Sequence, residues 1–333
     1  MKSTDPISVF DIPVACYAIT PNKLVPDIIE DAVQGLLTRP RKFPPKYFYD
    51  ESGSRLFDRI CDTPEYYPMR TEDALLARHA INIINHRQPD RIVELGSGTS
   101  RKTRHILNAC AELQLEPTYE PVDVCEQILM DTGRQLLADY PWLVIEARVG
   151  DYVAGLQDLA ADVSSTLFLF LGGTIGNLAE HEALELLAEI RELMGKDDCL
   201  LLGLDRVKDP RLLHAAYNDS QGITACFNLN VLSVINRELE ADFPADQFKH
   251  YAYYNPDRSQ IEMYLIAQRR LNVMLNRLGI SIDIEEGEPI LTEISRKYTE
   301  SSIENLLSRA GLMVEEHFEA ESPRFSLILA ARR

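Results

Sequence analysis

The spacing of apolar residues along this chain changes near residue 91. Before that point, residues 24–85 carry helical spacing interrupted by Pro40, Pro44, Pro45, Pro64 and Pro68, which predicts helices separated by turns. Beyond it, short apolar runs alternate with helical periods. Arg91–Leu95 (RIVEL) reads as a buried strand. It runs into Gly96-Ser97-Gly98 and then into a helix that aligns Ile106, Leu107, Cys110 and Leu113. Tyr119–Val122 and Leu143–Val149 read as further strands. Thr166–Leu171 (TLFLFL) is apolar throughout, as a central parallel strand covered on both faces must be. A helix with Leu184, Leu187, Ile190 and Met194 follows, and Cys199–Leu204 forms the fifth strand. This β-α repetition predicts an α/β fold, a doubly wound, Rossmann-like parallel sheet.

The rhythm breaks after Asp205. Ile223–Leu239 reads as a long helix with Phe227, Val231, Val234 and Ile235 on one side. Phe248–Tyr254 and Gln260–Gln268 read as an antiparallel pair turned at Asn255-Pro256-Asp257. Sheet character returns near the end. Ser301-x-x-Glu304 is expected to cap a helix carrying Ile303, Leu306, Leu307 and Ala310, and Arg324–Ala331 is expected to be the last strand. The simplest division assigns residues 71–205 and 298–333 to the nucleotide-type sheet. Residues 1–70 and 206–297 then form a second lobe, with a ligand cleft between the two.

Composition narrows the function classes. The 333 residues include 34 basic and 52 acidic side chains, a formal charge of −18. A charge of that sign repels phosphate backbones, so nucleic acid is not an expected partner. The six cysteines contain no CxxC pair and the seven histidines no HxH or HExxH spacing, which points to reduced thiols and no metal. No apolar run is long enough to span a bilayer. The N-terminus, MKSTDPISVFD, has early acid and no apolar core of a leader. A cytoplasmic, monomeric enzyme without membrane partners is the expectation.

Glu94-Leu-Gly-Ser-Gly-Thr99 lies where a strand should turn into a helix, and glycine lets the backbone turn tightly against a ligand. Arg101 occupies the place of the third glycine of a dinucleotide fingerprint, which argues against pyrophosphate. The acid before the glycines suits a cation such as a sulfonium. Asp123 after the second strand can accept ribose hydroxyls, and Asp151 in Gly150-Asp-Tyr152 can accept from an adenine amine. Each acid alone is also an ordinary turn residue; three at successive strand ends point to a cofactor site.

Four more stretches carry a resemblance. They are Pro45-Lys-Tyr-Phe-Tyr-Asp-Glu-Ser-Gly-Ser-Arg-Leu-Phe-Asp58, Pro64-Glu-Tyr-Tyr-Pro-Met-Arg70, Leu171-Gly-Gly-Thr-Ile-Gly-Asn177 and Thr292-Glu-Ile-Ser295. With ELGSGTS they resemble, in order and over nearly the whole chain from residue 24, the histidine-specific Nα-methyltransferases of ergothioneine biosynthesis. The resemblance implies a class I S-adenosylmethionine-dependent sheet of seven strands with a substrate lobe. It also implies three methyl transfers to the α-amine of histidine, giving hercynine. It assigns Gly96, Lys102, Asp123, Asp151, Tyr152 and Gly172 to the cofactor. Tyr49, Tyr66, Asn177 and Tyr217 would surround the amino acid's ammonium and carboxylate, and Met263, Glu293 and Ser295 its imidazole. The chain departs from the family pattern at Gly173, Arg296 and Asn218, none of them an assigned contact.

The residue types suit that chemistry. On a strand Leu291, Glu293 and Ser295 share one side, so a carboxylate and a hydroxyl bracket a planar ring with a nitrogen at each edge. Taken alone, Glu-x-Ser also fits the wet face of an edge strand, and Met263 fits a core. Aromatic faces tolerate an ammonium that grows by methylation, a cation–π attraction of about 0.5–2 kcal/mol per ring. The amine must lose a proton before attack, and Tyr49 is the candidate base, directly or through water. The alternative substrate is another aromatic amino acid, such as tryptophan or a prenylated tryptophan. A nicotinamide-dependent oxidoreductase and a non-catalytic nucleotide-binding module are the readings from other classes.

Overall fold

The apolar runs become strands of one large sheet. The computed structural model describes residues 14–160 and 165–333; the N-terminal stretch MKSTDPISVFD lies outside them. In chain order the elements are β1 (Ala15–Ala18), α1 (Ile28–Leu36), β2 (Arg41–Lys42), α2 (Glu51–Cys61), α3 (Tyr67–Arg87), β3 (Arg91–Leu95), α4 (Thr103–Glu112), β4 (Thr118–Asp123), α5 (Glu126–Asp139) and β5 (Val144–Val149). They continue with β6 (Thr166–Phe170), α6 (Glu180–Leu193), β7 (Cys199–Asp205), α7 (Pro210–Ala216), α8 (Ile223–Leu239), β8 (Phe248–Asn255) and β9 (Gln260–Ala267). The last are β10 (Leu271–Leu275), β11 (Ile280–Ile284), β12 (Pro289–Arg296), α9 (Glu300–Arg309), β13 (Leu312–Glu321) and β14 (Arg324–Arg332).

The large sheet has the order β1-β5-β4-β3-β6-β7-β14-β13. It is parallel from β1 to β7, and β14 runs antiparallel between β7 and β13. From β3 the chain builds outward through β4 and β5, then crosses to β6 and β7 on the other side. That reversal opens a crevice at the carboxyl ends of β3 and β6, where such sheets bind ligands. The sheet has eight strands rather than seven because Ala15–Ala18 adds to the β5 edge. The sequence division had put this segment in the other lobe. Four residues, mostly exposed, carry too little periodicity to announce a strand. β13 went unforeseen because its outer face is charged and exposed, as an edge strand's should be.

β2, β12, β9 and β8 form a second sheet, and β10 and β11 a separate hairpin. Two buried clusters cover the two faces of the large sheet; a third joins the small sheet to α1, α2 and α8. The two sheets meet where the chain leaves β12. The Tyr298 N–H donates to the Asp205 carbonyl (2.9 Å) and the Val207 N–H to the Tyr298 carbonyl (3.0 Å), so the end of β12 pairs with the end of β7. That joint puts one edge of the small sheet over the carboxyl end of the large one. The helix α9 starts two residues earlier than Ser301-x-x-Glu304 suggested. Thr299 is its N-cap and accepts from the Ser302 N–H at 3.1 Å, and the Ser302 hydroxyl accepts the Thr299 N–H at 2.8 Å in the role expected of Glu304.

Candidate active site

β3 ends in a turn with Gly96 at φ 70° and Gly98 at φ 50°, left-handed values that favour glycine. The N–H groups of Gly96 and Ser97 both donate to the Val122 carbonyl (2.8 and 3.1 Å), and the Gly98 N–H donates to Asp123 Oδ2 at 2.8 Å. These amides are spent inside the turn, so they form no cradle for pyrophosphate. The turn nevertheless faces space. A side chain at Gly98 would meet no atom within 4 Å, and one at Gly96 would meet only Tyr152, at 3.7 Å. The Ser97 hydroxyl is buried with no described partner. Asp123 also accepts from the Cys125 N–H at 3.0 Å, and burial raises its pKa. Asp151 accepts the Val153 N–H through Oδ1 at 2.9 Å, which leaves Oδ2 without a described hydrogen bond. The Tyr152 ring sits edge-on to Phe170, 5.6 Å between centroids. Together these groups offer acceptors for hydroxyls and an amine beside an aromatic ring, a set that fits a nucleoside without phosphate.

Glu94 does not face a cationic ligand as the sequence suggested. β3 is buried along its length, and Glu94 Oε2 accepts from Thr103 Oγ1 (2.6 Å) and from the Tyr119 hydroxyl. Burial pushes its carboxyl up to about 7. It ties α4 to β4 and holds the glycine turn from behind.

Lys102 precedes α4 and pairs with Glu72 of α3, whose side chain is fully buried. Both oxygens of Glu72 also accept from the Gly172 N–H, at 2.9 and 2.8 Å. A single carboxylate therefore positions both Lys102 and the Gly172 turn. Glu72 was missed in the sequence because an acid inside a helical period looks like a solvent-facing one. Gly203 in β7 makes room for it: a Cβ there would lie 2.0 Å from Glu72 Oε1. Gly203→Ala is expected to push Glu72 off Gly172 and weaken cofactor binding by roughly tenfold or more, the loss of one or two charge-assisted hydrogen bonds. Unchanged affinity by calorimetry would mean that Glu72 has no part in holding the turn.

On the far side of the crevice the aromatic residues converge. Asp50 caps α2, accepting from the Gly53 N–H at 2.9 Å and from Asn230 of α8 at 2.8 Å, and so fixes the preceding Tyr49. Arg70 donates to the carbonyls of Thr63 and Pro64, both at 2.6 Å, clasping the loop that ends in Tyr66. Tyr66 packs edge-on to Phe57 (6.1 Å) and Tyr217 (6.2 Å), and Tyr49 to Phe57 and Phe227 (both 5.8 Å). Burial, then the charge of Glu293, then Tyr152, Cys61 and Tyr217 raise the Tyr49 pKa well above its ordinary value. Burial also dominates at Tyr66. The same electrostatic neighbourhood thus contains Tyr152 from the glycine-turn side and Glu293 from the small sheet. Burial favours the neutral phenol of Tyr49, the form in which its hydroxyl can both donate and accept a hydrogen bond.

β12 carries the remaining candidates. A bulge between Leu291 and Glu293 shifts the alternation, so Glu293 and Ser295 keep a common buried side while Leu291 leaves it. Met263 of β9 lies directly across from Glu293 and is buried in the third cluster. The Glu293 carboxylate accepts no hydrogen bond from a described residue, and burial pushes its pKa up to about 7 against the pull of Lys297. Asn177 ends a short turn, Thr174–Asn177, pressed onto β12: a Cβ on Gly176 would lie 2.8 Å from the Arg296 carbonyl oxygen. Its amide makes no hydrogen bond with a described residue.

The Tyr217 hydroxyl donates to Ser295 Oγ at 2.8 Å, linking two groups that the sequence reading set at opposite ends of the amino acid. Behind them lies a buried network the sequence did not announce. Lys297 Nζ contacts Ser295 Oγ (2.8 Å), the Tyr217 hydroxyl (3.0 Å) and Asp205 Oδ2 (2.9 Å). A second network runs from Thr292 through Asn228 to His250, whose Nε2 lies 2.9 Å from the Tyr217 carbonyl. Burial lowers the His250 pKa, so the ring is neutral and fits between one donor and one acceptor.

Among the described residues no group of three His, Cys, Asp or Glu is arranged to hold a metal, and no helix is long and apolar enough to cross a membrane. A family model described as histidine-specific methyltransferase, SAM-dependent, matches residues 28–332. The histidine N-alpha-methyltransferase of Mycolicibacterium smegmatis is 42% identical over 302 residues, 91% of this chain and 94% of that protein. That of Mycobacterium tuberculosis is 41% identical with the same coverage. An L-tryptophan methyltransferase of Psilocybe serbica is 26% identical, covering 89% of this chain and 90% of that protein.

Proposed function

The chain belongs to the histidine-specific, S-adenosylmethionine-dependent methyltransferase family, and on that premise we propose that it methylates the α-amine of L-histidine. Up to three methyl groups are added in succession, giving hercynine on the route to ergothioneine. The observation that carries this reading is the Glu293–Ser295 pair: a buried carboxylate without a described hydrogen-bond partner, beside a hydroxyl on the same side of β12. A site built to hydrogen-bond a ring rejects analogues that leave its polar groups unpaired.

In this reading residues 71–205 and 298–333 hold the cofactor, with β1 at their sheet edge, and the rest of 14–70 with 206–297 holds the amino acid. Gly96 gives the ligand close backbone approach. Asp123 takes the ribose hydroxyls, Asp151 the adenine amine, and Tyr152 and Gly172 line the site. Lys102, anchored on Glu72, holds the carboxylate. When bound, S-adenosylmethionine supplies an electrophilic methyl group on a sulfonium.

The chain's own residues do the rest. Glu293 and Ser295 hold the imidazole over Met263, while Asn177 and the hydroxyls of Tyr49, Tyr66 and Tyr217 surround the ammonium and carboxylate. Tyr49 and Tyr66 steer the amine by hydrogen bonding, and Tyr49, directly or through water, takes its departing proton. The Tyr49 and Tyr66 faces accommodate the cation as it grows. Alignment of the amine with the methyl group, together with its desolvation on binding, is then the main source of rate.

Mass spectrometry of histidine incubated with the protein and S-adenosylmethionine should show mono-, di- and trimethylated products in succession. In competition, faster methylation of tryptophan than of histidine would move the assignment to the other aromatic amino acids.

A further inference from the structure

Lys297 lies two residues beyond Ser295, with a side chain almost fully buried. Its ammonium has three N–H donors, and three acceptors surround it: Asp205 Oδ2 at 2.9 Å, the Tyr217 hydroxyl at 3.0 Å and Ser295 Oγ at 2.8 Å. Burial alone would favour loss of its proton, but Asp205 and then Tyr217 outweigh that and hold the cation. The charged and titratable groups around it are Asp205, Lys208, Tyr67, Tyr217 and Glu293. Asp205 in turn is held by Lys208 and by the Tyr67 hydroxyl at 2.6 Å.

The hydrogen-bond polarity follows from this arrangement. Tyr217 accepts from Lys297 and donates its proton to Ser295 Oγ. Ser295 Oγ thus receives two donors, which fills both its lone pairs. No described residue accepts the Ser295 proton, which leaves that O–H free to donate to a ligand on the side of β12 that Ser295 shares with Glu293. Glu293, when ionised, is an acceptor only. The pair therefore presents one acceptor and one donor.

We propose that Lys297 sets the specificity of the site by making Ser295 an obligate donor, so that Glu293 and Ser295 together accept an imidazole only in its neutral form, one nitrogen protonated and one bare. An imidazolium would set its second N–H against the Ser295 O–H. An indole would leave that O–H unpaired. Lys297 acts through Ser295 and is a positioning residue. The inference rests on the reading that histidine is the substrate.

A double-mutant cycle tests it. Lys297→Met and Ser295→Ala should each raise the KM for histidine about tenfold, the loss of one hydrogen bond, with S-adenosylmethionine affinity within about twofold of wild type. The double variant should be no worse than the poorer single one, since Lys297 has nothing to orient once Ser295 is gone. Factors that multiply would overturn the proposal, as two unconnected structural defects behave that way. If Lys297→Met does not fold, the wild-type protein supplies the second measurement: ring-15N histidine bound in the presence of S-adenosylhomocysteine at pH 7.5, where Glu293 is mostly ionised and would by itself favour an imidazolium beside it. One protonated and one bare nitrogen are expected; two protonated nitrogens overturn the proposal. Failure of histidine to bind at all would instead remove the substrate reading beneath it.

Discussion

Glu293→Gln is expected to make the protein more stable above pH 7 while raising its KM for histidine about 30- to 100-fold. Both effects come from one carboxylate. Buried without a described hydrogen-bond partner, Glu293 is pushed up to about 7 from an ordinary 4.5. The folded protein therefore binds the Glu293 proton more tightly than the unfolded chain does. Folding keeps the full benefit of that proton below about pH 4.5 and loses it as pH rises through 7. Above 7 the folded state carries an unpaired buried charge, a penalty of order 3 kcal/mol. Glutamine removes it, so the melting temperature at pH 8 should rise by roughly 5 °C, and the gain should fade as pH is lowered toward 4.5. The cost appears in binding. Glutamine cannot give the imidazole N–H a charged acceptor, and a charge-assisted hydrogen bond is worth about 1.5–3 kcal/mol. S-adenosylmethionine affinity should stay within about twofold. A pH-independent melting difference would mean that the carboxylate is solvated in the free protein, and an unchanged KM for histidine would remove Glu293 from the substrate site.

Glu72→Ala should act in the opposite sense and more severely. The Glu72 side chain is fully buried, Lys102 is nearly so, and Gly172 donates its N–H to the same carboxylate. Removing one partner of a buried pair leaves the other charge uncompensated, a loss of about 3–5 kcal/mol. Urea denaturation should show that loss. Calorimetry should show S-adenosylmethionine affinity falling more than tenfold, because Lys102 and the Gly172 turn lose their common anchor. Combining Glu72→Gln with Lys102→Met separates the two effects: neutralising both partners should recover much of the stability but none of the affinity. Recovery of both would show that Lys102 makes no contact with the cofactor.

Much of this protein is legible along its chain. Runs such as Leu167–Phe170 and Cys199–Leu204 exclude charged residues because both faces of a central parallel strand are covered, and that requirement is local enough to read along the chain. The glycine turn after β3 and the acids at the ends of β4 and β5 were legible for the same reason, since a tight turn and a strand end constrain residue type position by position. The candidate residues on β12 rest on resemblance and on spacing, and their common side survives the bulge because Glu293 and Ser295 both lie on its C-terminal side.

What tertiary structure alone decided is which polar groups face each other. Glu94 and Glu293 both have a carboxyl raised to about 7 by burial, yet one is bound by Thr103 and Tyr119 and the other has no described partner. Nothing in either sequence neighbourhood separates them. Lys297 meets Asp205, 92 positions away, only because the end of β12 pairs with the end of β7. Glu72 meets Gly172 only because α3 lies against the large sheet. Backbone preference is a property of neighbours in the chain, and its pattern is written there. The charge state and hydrogen-bond polarity of a buried group belong to neighbours in space, and they exist only once the two sheets have closed on each other.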